Sequence, residues 1–211
     1  MLNFYSGTNI RIGMVALAVG VVGIVSADEV RVAGSTQGQF DAQAFANTNS
    51  LLDLVYSNST FDNTTVGNAM DLGGDPTPGT NFNNLGSFTL GNTNNFYNGH
   101  TFKLQVTFTA PSTIVGGNQA VFTDTVSGTV SNGLGGVFID FDNTPQTFNF
   151  SNAQANGSFT FFVNDLSIAP SGSASLTGHI TGRQTSVPEA SSIAGVMAGM
   201  LGLSGLLRKR K

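Results

Sequence analysis

The run Thr101-Phe102-Lys103-Leu104-Gln105-Val106-Thr107-Phe108 alternates polar and apolar side chains without a break. A period of two puts Phe102, Leu104, Val106 and Phe108 on one face of an extended strand and the polar four on the other. In a helix the same four apolar side chains would scatter around the axis. A strand covered on both faces would be apolar throughout, so this one is half buried and belongs to an antiparallel sheet.

The rest of the central region follows the same logic. Residues 39–45 carry a partial period of two. Residues 51–56 form a compact apolar run, and 47–50 read as the turn between these two strands. Residues 57–86 are rich in Asn, Gly, Thr, Asp and Pro and read as a surface loop or insertion, clearest at 73–79. Further strands are predicted over 101–108, 120–130, 137–142, 147–150, 158–163, 166–168 and 174–180. Phe161-Phe162 interrupts the alternation of its strand, which predicts a bulge or a change of face. Strand centres spaced by roughly 8–15 residues predict an all-β fold, an antiparallel β-sandwich or jelly roll.

Composition narrows the chemistry. The 211-residue chain has no cysteine, which excludes a disulfide framework and thiolate metal sites. Its only histidines, His100 and His179, exclude a three-histidine site and leave room for one His–Asp pairing. Between residues 28 and 186 eleven acidic groups face only Arg31, Lys103 and Arg183, a net of about −8. That sign repels phosphate backbones, so nucleic acid is not expected as a partner. Seventeen Phe argue for a packed core in spite of the polar background.

Both ends read as targeting segments. Residues 1–11 are polar with one basic side chain, Arg11. Residues 12–25 are apolar, and Val25-Ser26-Ala27 precedes Asp28-Glu29. This is the order of an export signal, with signal peptidase expected to cut between Ala27 and Asp28. The 14-residue apolar run is short for a bilayer core of ~30 Å. At the other end, residues 183–187 read as a linker. Val187-Pro188-Glu189-Ala190 leads into an uncharged stretch over 193–207, and Arg208, Lys209, Arg210 and Lys211 close the chain. As a helix the uncharged stretch would span ~22 Å, with the basic cluster on the cytoplasmic side. The expected organisation is a signal helix over 1–27, an exported β domain over 28–182 and an anchoring segment with a transmembrane helix over 183–211.

This tail resembles the PEP-CTERM family of bacterial sorting signals. The three parts of that signal match Val187-Pro188-Glu189-Ala190, residues 193–207 and Arg208 to Lys211. It departs from the family at Ala190, where the motif usually has a second proline. It is also similar to the C-terminal domain named for ice-binding proteins. The resemblance covers about 25 residues. It implies recognition by an exosortase, a membrane transpeptidase-like cysteine enzyme, with cleavage near Pro188-Glu189. It further implies a transient stay in the inner membrane, then release or transfer to the surface of a cell that often makes exopolysaccharide.

Within the body, Asp140 and Asp142 flank Phe141, and a strand would turn both carboxylates to one side. Such a pair is a weak candidate for Ca²⁺ and, at the right separation, for glycan hydrolysis. The same spacing is what a solvated strand face produces. His100 and His179 read as surface residues, and no serine stands in a nucleophile-elbow context. Thr123-Asp124-Thr125 is a single copy of a Thr-x-Thr spacing that β propensity explains. No catalytic set converges and no cofactor is implied. The expected function is therefore a non-enzymatic surface or matrix protein with a structural or adhesive role. The first alternative is a carbohydrate-binding module for exopolysaccharide, with Tyr56, Phe96 and Tyr97 as rings able to stack on sugars. The second is a secreted glycan hydrolase using Asp140 and Asp142.

Overall fold

The computed structural model describes residues 29–73 and 83–187. Among them there is no helix, and every strand pairing is antiparallel. The strands are β1 (Arg31–Phe40), β2 (Thr48–Leu51), β3 (Leu54–Ser57), β4 (Thr60–Thr64) and β5 (Ala69–Leu72). Next come β6 (Ser87–Leu90), β7 (Asn95–Phe96), β8 (His100–Ala110), β9 (Gln119–Ser131) and β10 (Leu134–Asp140). The last are β11 (Gln146–Ser151), β12 (Ala155–Val163), β13 (Leu166–Ile168), β14 (Ser173–Ser175) and β15 (Gly178–Ser186). The described residues thus form an all-β domain of curled antiparallel sheet, a half-barrel. The expected signal and transmembrane helices fall outside the described residues. So do Ala27, Asp28, Pro188, Glu189, Ala190 and Arg208, Lys209, Arg210 and Lys211.

The largest sheet has the order β13-β10-β9-β8-β1-β4, with β7 added beside β9. Two four-stranded sheets, β11-β12-β15-β5 and β14-β6-β3-β2, complete the body. Phe102, Leu104, Val106 and Phe108 on β8 are all buried, as the alternation requires. Phe108 packs edge-on to Phe159 and Phe161 of β12, with ring centroids 4.9 and 5.7 Å away. Phe102 meets Phe88 of β6 at 4.9 Å and Tyr56 of β3 at 5.2 Å. These rings tie the three sheets into one core, and each buried ring contributes roughly 2–3 kcal/mol of transfer free energy.

Four local expectations need correction. β1 turns at Asp41, whose φ of 49° ends the strand, so 39–45 is not one strand. The run 51–56 is split by a hairpin turn at Leu52, φ 56°, and the expected turn at 47–50 is largely β2. The expected loop over 57–86 contains β4 and β5. β12 keeps strict alternation through Phe161-Phe162: Phe161 is buried, and Phe162 turns outward against the His179 ring at 5.5 Å.

The expected linker over 183–187 is also strand. β15 stays paired with β12 as far as Ala155↔Ser186, and the Val187 N–H still donates to the Gln154 carbonyl at 2.8 Å. The sheet therefore runs past residue 182, up to the residue that precedes Pro188. At the other end Val30 is buried, and the Glu29 carboxylate accepts the Thr65 hydroxyl at 2.5 Å and the Gly67 N–H at 2.8 Å.

Candidate functional site

β9 carries the clearest exposed face. Ala120, Phe122, Val126 and Val130 point into the core, so Thr125, Ser127, Thr129 and Ser131 point out. β10 pairs Phe138 with Ser127, Gly136 with Thr129 and Leu134 with Ser131. On the other side of β9, β7 pairs Phe96 with Thr129. Phe96 and Gly136 therefore flank Thr129 from opposite sides, two strand spacings or roughly 10 Å apart. Phe96 is 60% exposed and Phe138 38%. Two aromatic side chains thus stand on one outward face among Ser and Thr hydroxyls.

Next to them lies an open groove of about 450 Å³ lined by Gly128, Gly135, Gly136, Phe138, Ser167 and Ala169. Glycine is required in its floor. A Cβ on Gly128 would stand 2.2 Å from the Gly136 carbonyl oxygen, and one on Gly136 would stand 2.6 Å from the Ile168 carbonyl oxygen. Among the described residues no charged side chain lines the groove.

The segment bearing Phe96 is fixed from several directions. The Asp53 carboxylate accepts the Tyr97 hydroxyl, the Asn95 amide at 2.8 Å and the Thr93 N–H at 3.0 Å. Burial pushes the Asp53 carboxyl up, but these bonds outweigh it and hold it below the usual carboxylate range. Burial and the Asp53 charge push the Tyr97 hydroxyl up to about 12, so it stays a donor. The Asn98 side chain accepts the Gly128 N–H at 2.7 Å, and Asn94 accepts the Asn132 N–H at 2.6 Å. A backbone held in this way needs little reordering when the Phe96 ring meets a ligand.

Of the three rings singled out for sugar stacking, only Phe96 offers a face. Tyr56 is fully buried against Phe88 and Phe102, and its hydroxyl lies 2.8 Å from Thr36 Oγ1 and 3.0 Å from the Leu85 carbonyl. Tyr97 is fully buried as well. Both are corrections, with one cause: each ring falls on the inward phase of its segment, and each hydroxyl finds a partner inside. Phe138 was legible from the alternation Val137-Phe138-Ile139, which must turn it outward when its neighbours turn in.

The acid pair is also rearranged. Asp140 ends β10, whereas Asp142 lies in the connection to β11, so they are not two side chains of one strand. Asp142 folds back onto Thr144, accepting its N–H at 3.0 Å and its hydroxyl at 2.5 Å, which keeps its carboxyl low. Beneath them is an acid the sequence did not flag. Asp124 sits on the inward phase of β9 and is 4% exposed. Burial, joined by the charges of Asp142, Asp140 and Asp165, pushes its carboxyl up to about 7 against the lowering effect of the Asp142 N–H. A raised acid beside a lowered one is the arrangement acid–base catalysis uses. Asp124 Oδ2, however, is sealed from solvent and offers no route to a substrate. Among the described residues no group of three or more His, Asp or Glu is placed to hold a metal ion.

Two His–Asp pairs form where one was allowed for. His100 Nδ1 lies 2.8 Å from Asp41, and His179 Nδ1 lies 2.5 Å from Asp71. No family model, no curated protein and no solved structure matches this chain. Among the described residues no helix is long and apolar enough to cross a membrane.

Proposed function

We propose that the body of this chain is a carbohydrate-binding module, of β-sandwich type, on an exported surface protein. One observation carries the reading: Phe96 and Phe138 stand exposed on one face, beside an open groove floored by glycine and edged by hydroxyls. Two exposed rings on one face, beside the apolar lining of the groove, make the kind of apolar patch that marks an interaction site. Flat apolar rings bordered by a few polar groups suit sugars, which present C–H faces and hydroxyl rims. The lack of charge in the lining, within a body of net charge about −8, favours an uncharged polysaccharide over an acidic one. The role is binding, not catalysis.

The full chain on an array of neutral and acidic polysaccharides tests this. Retention on a neutral glycan, weakened at least tenfold by Phe96→Ala, supports the reading. A blank array refutes it.

We further propose export through residues 1–27 and sorting through 188–211 by an exosortase-like enzyme, after signal peptidase has acted. The position of the sheet's ends supports this. Pairing begins close after the proposed cut at Ala27-Asp28 and stops just before Pro188-Glu189, so both cuts would spare the core. Mass spectrometry of the native mature protein decides it, and intact termini at Met1 and Lys211 would refute it.

A further inference from the structure

The connection from β10 to β11, residues 141–145, joins the largest sheet to the sheet of β11-β12-β15-β5. Two aspartates hold its start, Asp124 of β9 and Asp165 of the turn between β12 and β13. The Phe141 N–H donates to Asp165 Oδ1 at 2.9 Å, and the next amide, of Asp142, donates to Asp124 Oδ1 at 2.8 Å. Phe141 itself is buried against Phe102, with centroids 6.3 Å apart, and closes this end of the core.

Asp124 is the anomalous member. It is 96% buried, and its Oδ2 has no hydrogen-bond partner among the described residues. From β8 it faces Phe102, directly opposite. His100, two pairs along and opposite Val126, is committed to Asp41. Lys103 lies on the outward phase of β8. From the end of β10, the connection and the turn before β13 it meets the charges of Asp140, Asp142 and Asp165. The rings next to it, Phe122 and Phe102, pack on Phe161 and Phe88, both neutral. A carboxylate here would be a desolvated charge with one hydrogen bond, among like charges; a neutral carboxyl carries neither penalty.

We propose that Asp124 is a proton-operated latch on the 141–145 connection. With its proton, it holds the Asp142 amide and lets Phe141 seal the core. Without it, repulsion from three neighbouring carboxylates and the pull of water draw it outward, and the Asp142 amide is released. Asp165 keeps its hold on Phe141 and serves as the hinge. The rise of the Asp124 carboxyl to about 7 places the change near neutral pH. This inference stands apart from carbohydrate binding and holds with or without a ligand.

The test follows the Asp124 carboxyl ¹³C shift and the Asp142 amide exchange rate in the full chain between pH 5 and 8.5. The expected carboxyl titrates near neutral. Amide exchange, corrected for its intrinsic pH dependence, rises at least tenfold with the same midpoint. Asp124→Asn keeps the oxygen acceptor without the charge and makes the exchange profile flat. Asp165→Asn removes a like charge, so it moves the midpoint down but leaves the transition in place. A carboxyl titrating near 4, or an exchange profile that Asp124→Asn leaves unchanged, overturns the proposal.

Discussion

Tyr97 donates its hydroxyl to the Asp53 carboxylate, 44 residues away, and so fixes the backbone on which Phe96 is exposed. Asp53→Ala would strip the acceptor from a buried hydroxyl and from two further donors at once. Leaving such groups unpaired costs about 2–3 kcal/mol. The expected outcome is a lowered urea midpoint with an unchanged m-value, together with weaker glycan retention because Phe96 loses its support.

The core gives a larger effect. Phe108 touches Phe61, Phe148, Phe159 and Phe161 and is 1% exposed. Phe108→Ala creates a cavity between two sheets and should cost ~3–5 kcal/mol. Phe96→Ala, which leaves no cavity, should lie within ~0.5 kcal/mol of wild type. Chemical denaturation of both variants checks the contrast.

The groove floor is steric. Gly128 has φ 124°, and an added Cβ would clash with the Gly136 carbonyl oxygen. Both features oppose Gly128→Ala, which should destabilise by ~2 kcal/mol or more and loosen the β9–β10 pairing. Amide exchange localised to Val137 and its neighbours would report it.

Alternation made much of the large sheet legible. At β8 the inward set emerged directly, because one face meets the core and the other water. The errors arose where backbone chemistry overrode the pattern. Asp41 and Leu52 adopt positive φ in turns that an apolar run conceals. Asn132-Gly133, φ 53° and 73°, forms the two-residue turn from β9 to β10, and that Asn-Gly pair was a readable signal. Tyr56 and Tyr97 were misjudged because an aromatic residue's exposure depends on its phase, and their segments were too irregular to assign one. The Asp53 hub and both His–Asp pairs join residues 40 or more apart, a relationship no local pattern carries. Asp124 did leave a trace, as an acid in the apolar phase of β9 between Phe122 and Val126.

Acidity acts on stability in two directions. The unfolded chain holds the Asp124 proton only below about pH 4, whereas the folded chain keeps it up to about 7. Between these values the folded state binds more protons, so stability falls as pH rises. That contribution is fully present below about pH 4 and is lost through pH 7. A difference of roughly three units corresponds to at most ~4 kcal/mol.

Asp41 and Asp62 have the opposite sign. The Thr101 N–H, with help from His100, holds Asp41 low, and the Arg31 guanidinium holds Asp62 low. Their contribution is present above about pH 4 and is lost as pH falls through their folded values. Stability should therefore peak on the acid side of neutral, at about pH 4–6. Asp124→Asn should flatten the fall towards pH 8, as measured by urea denaturation across the range.

The Phe96–Phe138 face is proposed to bind an uncharged polysaccharide. Affinity electrophoresis of the full chain through gels containing a neutral glycan, with Phe96→Ala and Phe138→Ala run alongside, decides between binding and its absence. Retardation of the wild type, reduced at least tenfold in apparent affinity by either substitution (about 1.4 kcal/mol), is the predicted result. Equal migration of wild type and both variants in every neutral glycan, or retardation that neither substitution changes, would contradict it.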